Sequence, residues 1–314
     1  MSAVTRVAAA VIERGGEVLL AQRPPGKVYA GYWEFPGGKL ERGEAPRDAL
    51  VRELREELGL HVREASPWLV QRYLYPHADV ELHFFRVRAF DGEPVGHDGQ
   101  AFAWQDPHAI DVAPLLPANT RVLAALRLPA IYGITCADDL GEDAFVSRFE
   151  SALERGLRLL QVREKAWDAR RLRAFVERVL PIAHHAGARV LVNGGEHLAR
   201  ATRADGVHWT SAQLAGARER PQDILVAASC HTAADVAHAS DLGLDFAVLG
   251  PVLPTPSHAG ASPLGWEGFA RAVASTRVPV FALGGLTPAD LATAIAHCAH
   301  GIAMRRHAWP AQST

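Results

Sequence analysis

The chain has 314 residues, 48% of them hydrophobic, and 33 Lys and Arg against 35 Asp and Glu give a formal net charge of -2. That length predicts two domains, or one large barrel with an insertion, and the near-neutral balance, with a pI near 6.7, excludes a nucleic-acid polyanion as main partner because that would need a strongly basic face. Cys136, Cys230 and Cys298 are too far apart and too few for a disulfide framework or a zinc knuckle, which points to a reducing cytoplasm.

In chain order, residues 1–23 return to charged and Gly-rich sequence too soon for a signal peptide or a membrane span. Residues 4–12 and 17–22 are apolar runs separated by Gly15-Gly16, which predicts two paired strands. Residues 23–33 read as a loop rich in Gly, Pro and aromatic side chains, leading through Glu34, Phe35 and Pro36 to Gly37-Gly38. A helix is predicted from about Ala45, with Pro46 in its first turn, to Leu58, where Gly59 can turn left-handed. Within it Glu53, Glu56 and Glu57 fall at i, i+3 and i+4 and share one face. Like charges so arranged gain nothing unless a hard divalent cation sits among them; otherwise they form a solvated face balanced by Arg47, Arg52 and Arg55. Residues 68–74, 80–87 and 100–104 are strand-like, and 119–126 form a closing helix. This order implies a mixed sheet covered by helices.

From Pro129 onward, short apolar strands alternate with helix-like segments. Residues 130–135, 157–163, 190–193, 206–209, 225–229, 246–250, 280–283 and 301–304 make eight strands, the pattern of a (β/α)8 barrel. The expected domains are 1–128 and 129–314. In such a barrel the strand C-termini carry the site, and polar residues collect there.

Gly38, Glu44, Arg52, Glu53, Leu54, Glu56, Glu57, Gly59 and Leu60 match the Nudix box, so the first domain resembles hydrolases acting on nucleoside diphosphates linked to another group. Over about 125 residues it is most similar to the MutT type, through Arg23, the EFPGGK run at 34–39, the GEP run at 92–94, Gly99-Gln100 and the PAN run at 117–119. The resemblance implies an α/β/α sandwich with a mixed sheet, and hydrolysis of 8-oxo-dGTP to the monophosphate and pyrophosphate. It implies Mg2+, replaceable by Mn2+, held by Gly37, Glu44, Glu53, Glu56 and Glu57. Glu53 would be the general base, Asp98 a helper where the family often has a glutamate, and Arg52 the group that orients the carboxylates. Arg23, Phe35 and Asn119 would bind the nucleotide. Asn119 would read the guanine edge, since an amide donates and accepts at once, or would simply cap the helix that follows. In the loop before the fourth strand, where the family often has a polar or cationic base contact, stand His77 and Ala78.

The second domain resembles the thiamine phosphate synthase and thiazole tautomerase superfamily, through QVREK at 161–165, DGVH at 205–208, SCHT at 229–232, GPVLPTPS at 250–257, PLG at 263–265 and Gly284-Gly285. The last two glycines, with Arg163 and Lys165, would bind a phosphate. The synthase needs two aspartates for Mg2+, and Gly194 and Gln213 stand in their places, with His258 replacing a cation. The resemblance therefore implies a barrel that no longer makes thiamine phosphate. It would instead bind a thiazole or thiamine phosphate, act as a tautomerase through His231, or serve as a scaffold. Thiamine-related pyrophosphates are the alternative substrate of the first domain, and thiamine phosphate sensing is the alternative role of the whole chain.

Overall fold

Strict alternation along one buried strand organises the first half of the computed structural model, which describes residues 4–96, 99–255 and 262–310. The chain divides into two units, Met1–Arg127 and Leu128–Thr314. In the first, β1 (Thr5–Arg14) turns through Gly15 and Gly16 into β2 (Glu17–Gln22), followed by β3 (Trp33–Glu34), β4 (Gly37–Lys39), α1 (Pro46–Leu58), β5 (His61–Tyr75), β6 (Ala78–Asp91), β7 (Phe102–Gln105), a 3-10 turn at Pro117–Asn119 and α2 (Thr120–Leu126). The sheet runs β3-β2-β1-β6-β5, with β4 also on β1 and β7 on β2. It is mixed, because β1 and β6 are parallel while the other pairs are antiparallel.

Successive side chains of a strand point to opposite faces. Ala8, Ala10 and Ile12 pack with Ala49, Leu50, Leu54 and Leu58 of α1. Their neighbours Ala9 and Val11 pack with Val122, Leu123 and Ala125 of α2. The result is the α/β/α sandwich expected from the sequence. Helix α1 starts with Pro46 at its first position and stops at Gly59, whose φ of 67° and N–H to Arg55 O (3.1 Å) make a left-handed cap.

Two features differ from the expected elements. The Gly37-Gly38 segment is itself a strand, since Ala8 faces Gly38 and Ala9 faces Gly37. A Cβ on Gly37 would lie 2.0 Å from Ala8 O, so only glycine lets the two backbones pair. Strands β5 and β6 also extend well beyond 68–74 and 80–87. Register shifts between Val62 and Leu69 break the two-residue period that marks a strand.

The second unit has β8 (Ile131–Ile134), α3 (Ala137–Leu140), α4 (Glu142–Glu154), β9 (Leu159–Val162), α5 (Ala169–His185), β10 (Arg189–Asn193), α6 (Glu196–Thr202), β11 (Gly206–Trp209), α7 (Ser211–Gly216), β12 (Leu225–Cys230), α8 (Ala233–Asp241), β13 (Phe246–Leu249), α9 (Gly265–Val273), β14 (Val280–Leu283), α10 (Leu291–Ala296) and β15 (Gly301–Met304). The eight strands close into a parallel barrel, with β15 pairing β8. Tyr132, Leu159, Leu191, Phe246 and Phe281 fill its interior. Among the described residues after β15 the chain makes a 3-10 turn at Arg306–Ala308, and Trp309 does the covering there that a helix would do. Trp309 is 1% exposed, donates from Nε1 to Ile134 O at 2.8 Å, and packs edge-on at 4.8 Å from Phe145 of α4. Gly133 makes room for it, because a Cβ there would meet the indole at 2.9 Å.

Trp309→Ala should therefore destabilise the second unit by about 3–5 kcal/mol, the range for deleting a buried aromatic. Denaturant unfolding should show an earlier barrel transition with the transition of the first unit unmoved. A midpoint equal to wild type would contradict the covering role.

Candidate functional site

One guanidinium holds two of the carboxylates predicted on α1, Glu53 and Glu56, together with Glu44. Arg52 donates from Nε and Nη2 to the two oxygens of Glu44 (3.0 and 2.9 Å), from Nη1 to Glu53 (2.8 Å) and Glu56 (3.4 Å), and from Nη2 to Lys39 O (3.2 Å). These five contacts match the five N–H donors of an arginine. They push Arg52 above its ordinary pKa, through Glu44 first and Glu53 next, and hold Glu44 below the usual carboxylate range. Gly38 touches the same centre from the other side. A Cβ there would lie 2.0 Å from the Glu53 carboxyl carbon, so the β4 backbone and the Glu53 carboxylate are in immediate contact.

Glu53 and Glu57 line a cavity of about 720 Å³ together with Gly37, Arg23, Phe35 and Asn119. Glu44 does not line it, and Glu56, its side chain 63% exposed, faces a separate hollow with Arg47 and Arg55. Two carboxylates beside a bare peptide are hard oxygen donors of the kind Mg2+ takes, so the chemistry of the donor set fits the ion. Among the described residues, however, no three His, Cys, Asp or Glu side chains are arranged to hold a metal. Asp98 lies outside the described residues.

Also in the wall of this cavity, Asn119 is 2% exposed and, although it occupies the cap position of α2, makes no side-chain capping bond. Its Nδ2 reaches Trp33 O at 3.4 Å instead. The capping alternative is thereby set aside. Phe35 forms a wall, edge-on to Phe84 at 5.9 Å. Arg23 is tied to Glu34 (2.5 Å) and to Val28 O (2.8 Å), while burial pushes the Glu34 carboxyl above its ordinary range.

The cavity also has an aromatic rim, of which His77 was expected from the sequence and the tyrosines were not. Tyr29 sits 5.5 Å from Tyr75 and 5.7 Å from His77, and all three line the cavity. Tyr29 has φ 60°, unusual for a bulky residue, and burial pushes Tyr75 up to about 12. The repeated tyrosines at 29, 32, 73 and 75 were the available signal, but their convergence depends on the long β5–β6 hairpin.

In the barrel, Arg163, Lys165, His231, Gly284 and Gly285 line one cavity of about 270 Å³ at the strand C-termini. Arg305 and Arg306, not singled out from the sequence, line it too. No Asp or Glu does so among the described residues. Gly194 and Gln213 are not in its wall, and Gln213 instead accepts from Thr210 N (2.9 Å) in the capping box of α7. At the floor, His208 bonds to Tyr132 Oη (3.1 Å) and Ser229 Oγ (3.0 Å), and burial, aided by Arg163, lowers it to about 3, so it is neutral. His231 Nδ1 is 3.0 Å from Gly250 O. His258 lies outside the described residues. Among those residues no helix is long and apolar enough to cross a membrane.

Comparison with known proteins gives each unit a family. The NUDIX domain family profile matches residues 7–125, and the Thiamine monophosphate synthase profile matches residues 131–308. The first unit is similar to CTP pyrophosphohydrolase of Escherichia coli, 45% identical over 125 residues, which are 38% of this chain and 88% of that protein. It is also similar to 8-oxo-dGTP diphosphatase of Haemophilus influenzae, 37% identical over 124 residues, 39% of this chain and 91% of that one. The second unit is similar to thiamine-phosphate synthase of Chlorobium luteolum, 34% identical over 157 residues, 49% of this chain and 74% of that one. The chain thus belongs to the Nudix hydrolases through its first unit and to the thiamine monophosphate synthase family through its second.

Proposed function

We propose that the first unit is a Mg2+-dependent pyrophosphohydrolase that cleaves a nucleoside triphosphate to the monophosphate and pyrophosphate, with 8-oxo-dGTP as leading substrate. The observation that carries this reading is the single cavity lined both by Glu53, Glu57 and Gly37 and by the buried amide of Asn119. The carboxylates suit a metal-bound phosphate chain and the amide a base edge. Mg2+ when bound would neutralise phosphate charge and lower the pKa of a water, with Glu53, Glu57 and Gly37 as its holders and Glu44 and Glu56 set by Arg52. Glu53, fixed between Arg52 and Gly38, takes the proton of the attacking water. Phe35 and the tyrosine rim exclude solvent around the base, and Asn119 donates and accepts at its edge. A second reading, CTP as substrate, is favoured by the 45% identity to the Escherichia coli enzyme of that name. The same amide can pair with a cytosine edge.

For the second unit we propose a binder of a thiazole or thiamine phosphate that has lost synthase turnover. What supports this is a cationic cavity with no carboxylate among its described lining residues. Departing pyrophosphate would find no metal ligands there, whereas a phosphate needs only the cations and the Gly284-Gly285 backbone.

Glu53→Gln should lower kcat by about 10²–10⁴-fold with an unchanged circular dichroism spectrum, because an amide accepts no proton. Gly38→Ala, whose added Cβ would meet the Glu53 carboxylate, should cause a loss of the same order by displacing it. Wild-type turnover in either variant would remove Glu53 from its role. Asn119→Ala should raise KM for 8-oxo-dGTP about tenfold or more while kcat changes little, the signature of lost base binding. An equal effect on all nucleotides would point to a purely structural asparagine.

A further inference from the structure

The Nδ2 of Asn119 reaches Trp33 O at 3.4 Å, long for a hydrogen bond, so the direction of the amide is set by the 3-10 turn that carries it, Pro117–Asn119. One side of that turn is fastened to β3, where the Leu116 N–H donates to Trp33 O at 2.9 Å. The start of the turn leaves a donor over. Pro117 has no N–H, the Asn119 N–H closes the turn on Leu116 O at 3.0 Å, and Leu116 in the cap position has no side-chain acceptor. The Ala118 N–H, on a residue 6% exposed, must therefore find a partner outside the turn.

The Tyr75 hydroxyl is that partner. It pairs with the Ala118 backbone, and the bond opposes the upward push of burial on the phenol, as an N–H donated to its oxygen must. Tyr75 is the last residue of β5, and its ring packs with Leu116 and Ala118 in one buried cluster. Ring neighbours leave it little freedom: Tyr73 lies 4.5 Å away, and Tyr29 and His77 each 5.5 Å. Tyr29 comes from the loop before β3, which Arg23 fastens from Nε to Val28 O at 2.8 Å. A phenol so confined offers its oxygen in one place, the backbone next to Asn119. The asparagine turn is thus held between the end of β5 and β3, by Tyr75 and by Trp33.

We infer that Tyr75 is a positioning residue for base recognition: its hydroxyl fixes the turn that aims the Asn119 amide, and through that turn it sets the affinity for the base. This rests on the reading of Asn119 as the group that reads the base and adds the residue that orients it. Tyr75 acts through Asn119 and on no reacting atom, so its hydroxyl matters to KM and not to the chemical step. Loss of the hydroxyl alone leaves the ring packing in place and strands the Ala118 N–H in a buried position, from which it reaches water only if the turn shifts. Asn119 moves with that shift.

The test is a double-mutant cycle in the full chain, with KM and kcat measured in Mg2+ for 8-oxo-dGTP and for CTP. Tyr75→Phe should raise KM for the preferred nucleotide about threefold to tenfold, the worth of one hydrogen bond, with kcat little changed. In the Asn119→Ala background the same substitution should have no further effect, because an amide that is gone cannot be misdirected. A general loosening of the unit would instead add in both backgrounds. Amide hydrogen exchange should be faster at Ala118 in Tyr75→Phe while α1 and β1 keep their protection, which separates a local shift from a folding defect. Equal KM increases in both backgrounds, or a fall in kcat with KM unchanged, overturns the inference. If Asn119→Ala raises KM and Tyr75→Phe leaves it at the wild-type value, the positioning role fails and base reading by Asn119 stands. If neither substitution changes KM, or the wild type hydrolyses neither nucleotide, both fail.

Discussion

The guanidinium of Arg52 decides where the carboxylates of the first unit point. It collects Glu44 from the loop after β4, Glu53 and Glu56 from α1, and the Lys39 carbonyl from β4 itself. Loop, strand and helix are thus fixed to one another by charge-assisted hydrogen bonds, which are stronger than neutral ones and directional. Glu53 is held on its other side by Gly38, so it has little freedom to turn from the cavity. Lysine could not replace this arginine, because one ammonium cannot reach five acceptors in a planar fan.

That arrangement needs β4 close to β1, and the closeness depends on small residues. Gly37 and Gly38 pair with Ala9 and Ala8, and the alanines of β1 admit α1 on one face and α2 on the other. The helix bearing Glu53 and the helix preceded by Asn119 are therefore placed by the same buried strand. Glu53 and Asn119 share a cavity because one strand's alternation sets both layers.

Much of this was legible in the residues. Gly59 and Pro46 bound α1, the i, i+3, i+4 carboxylates gave its chemical face, and eight short apolar runs gave the barrel. What escaped has physical causes. Gly-Gly reads as a loop because it carries no side chain, yet here its bareness is what permits pairing with Ala8 and Ala9. The bulges of β5 hid half of a strand and with it the meeting of Tyr29, Tyr75 and His77. For Asn119, no sequence pattern shows that its side chain makes no capping bond and lies buried in the cavity wall. Arg305 and Arg306 belong to none of the motifs in the sequence, since their place in the cavity wall depends on where a closed barrel ends its last strand.

What the first unit releases, and from which base, tests its proposed chemistry most directly. A competitive assay of 8-oxo-dGTP, dGTP and CTP in Mg2+, with products identified by phosphorus NMR, reads both at once. The account predicts pyrophosphate and the monophosphate as products and the highest kcat/KM for 8-oxo-dGTP. Orthophosphate with a nucleoside diphosphate, or equal kcat/KM for all three nucleotides, would contradict it.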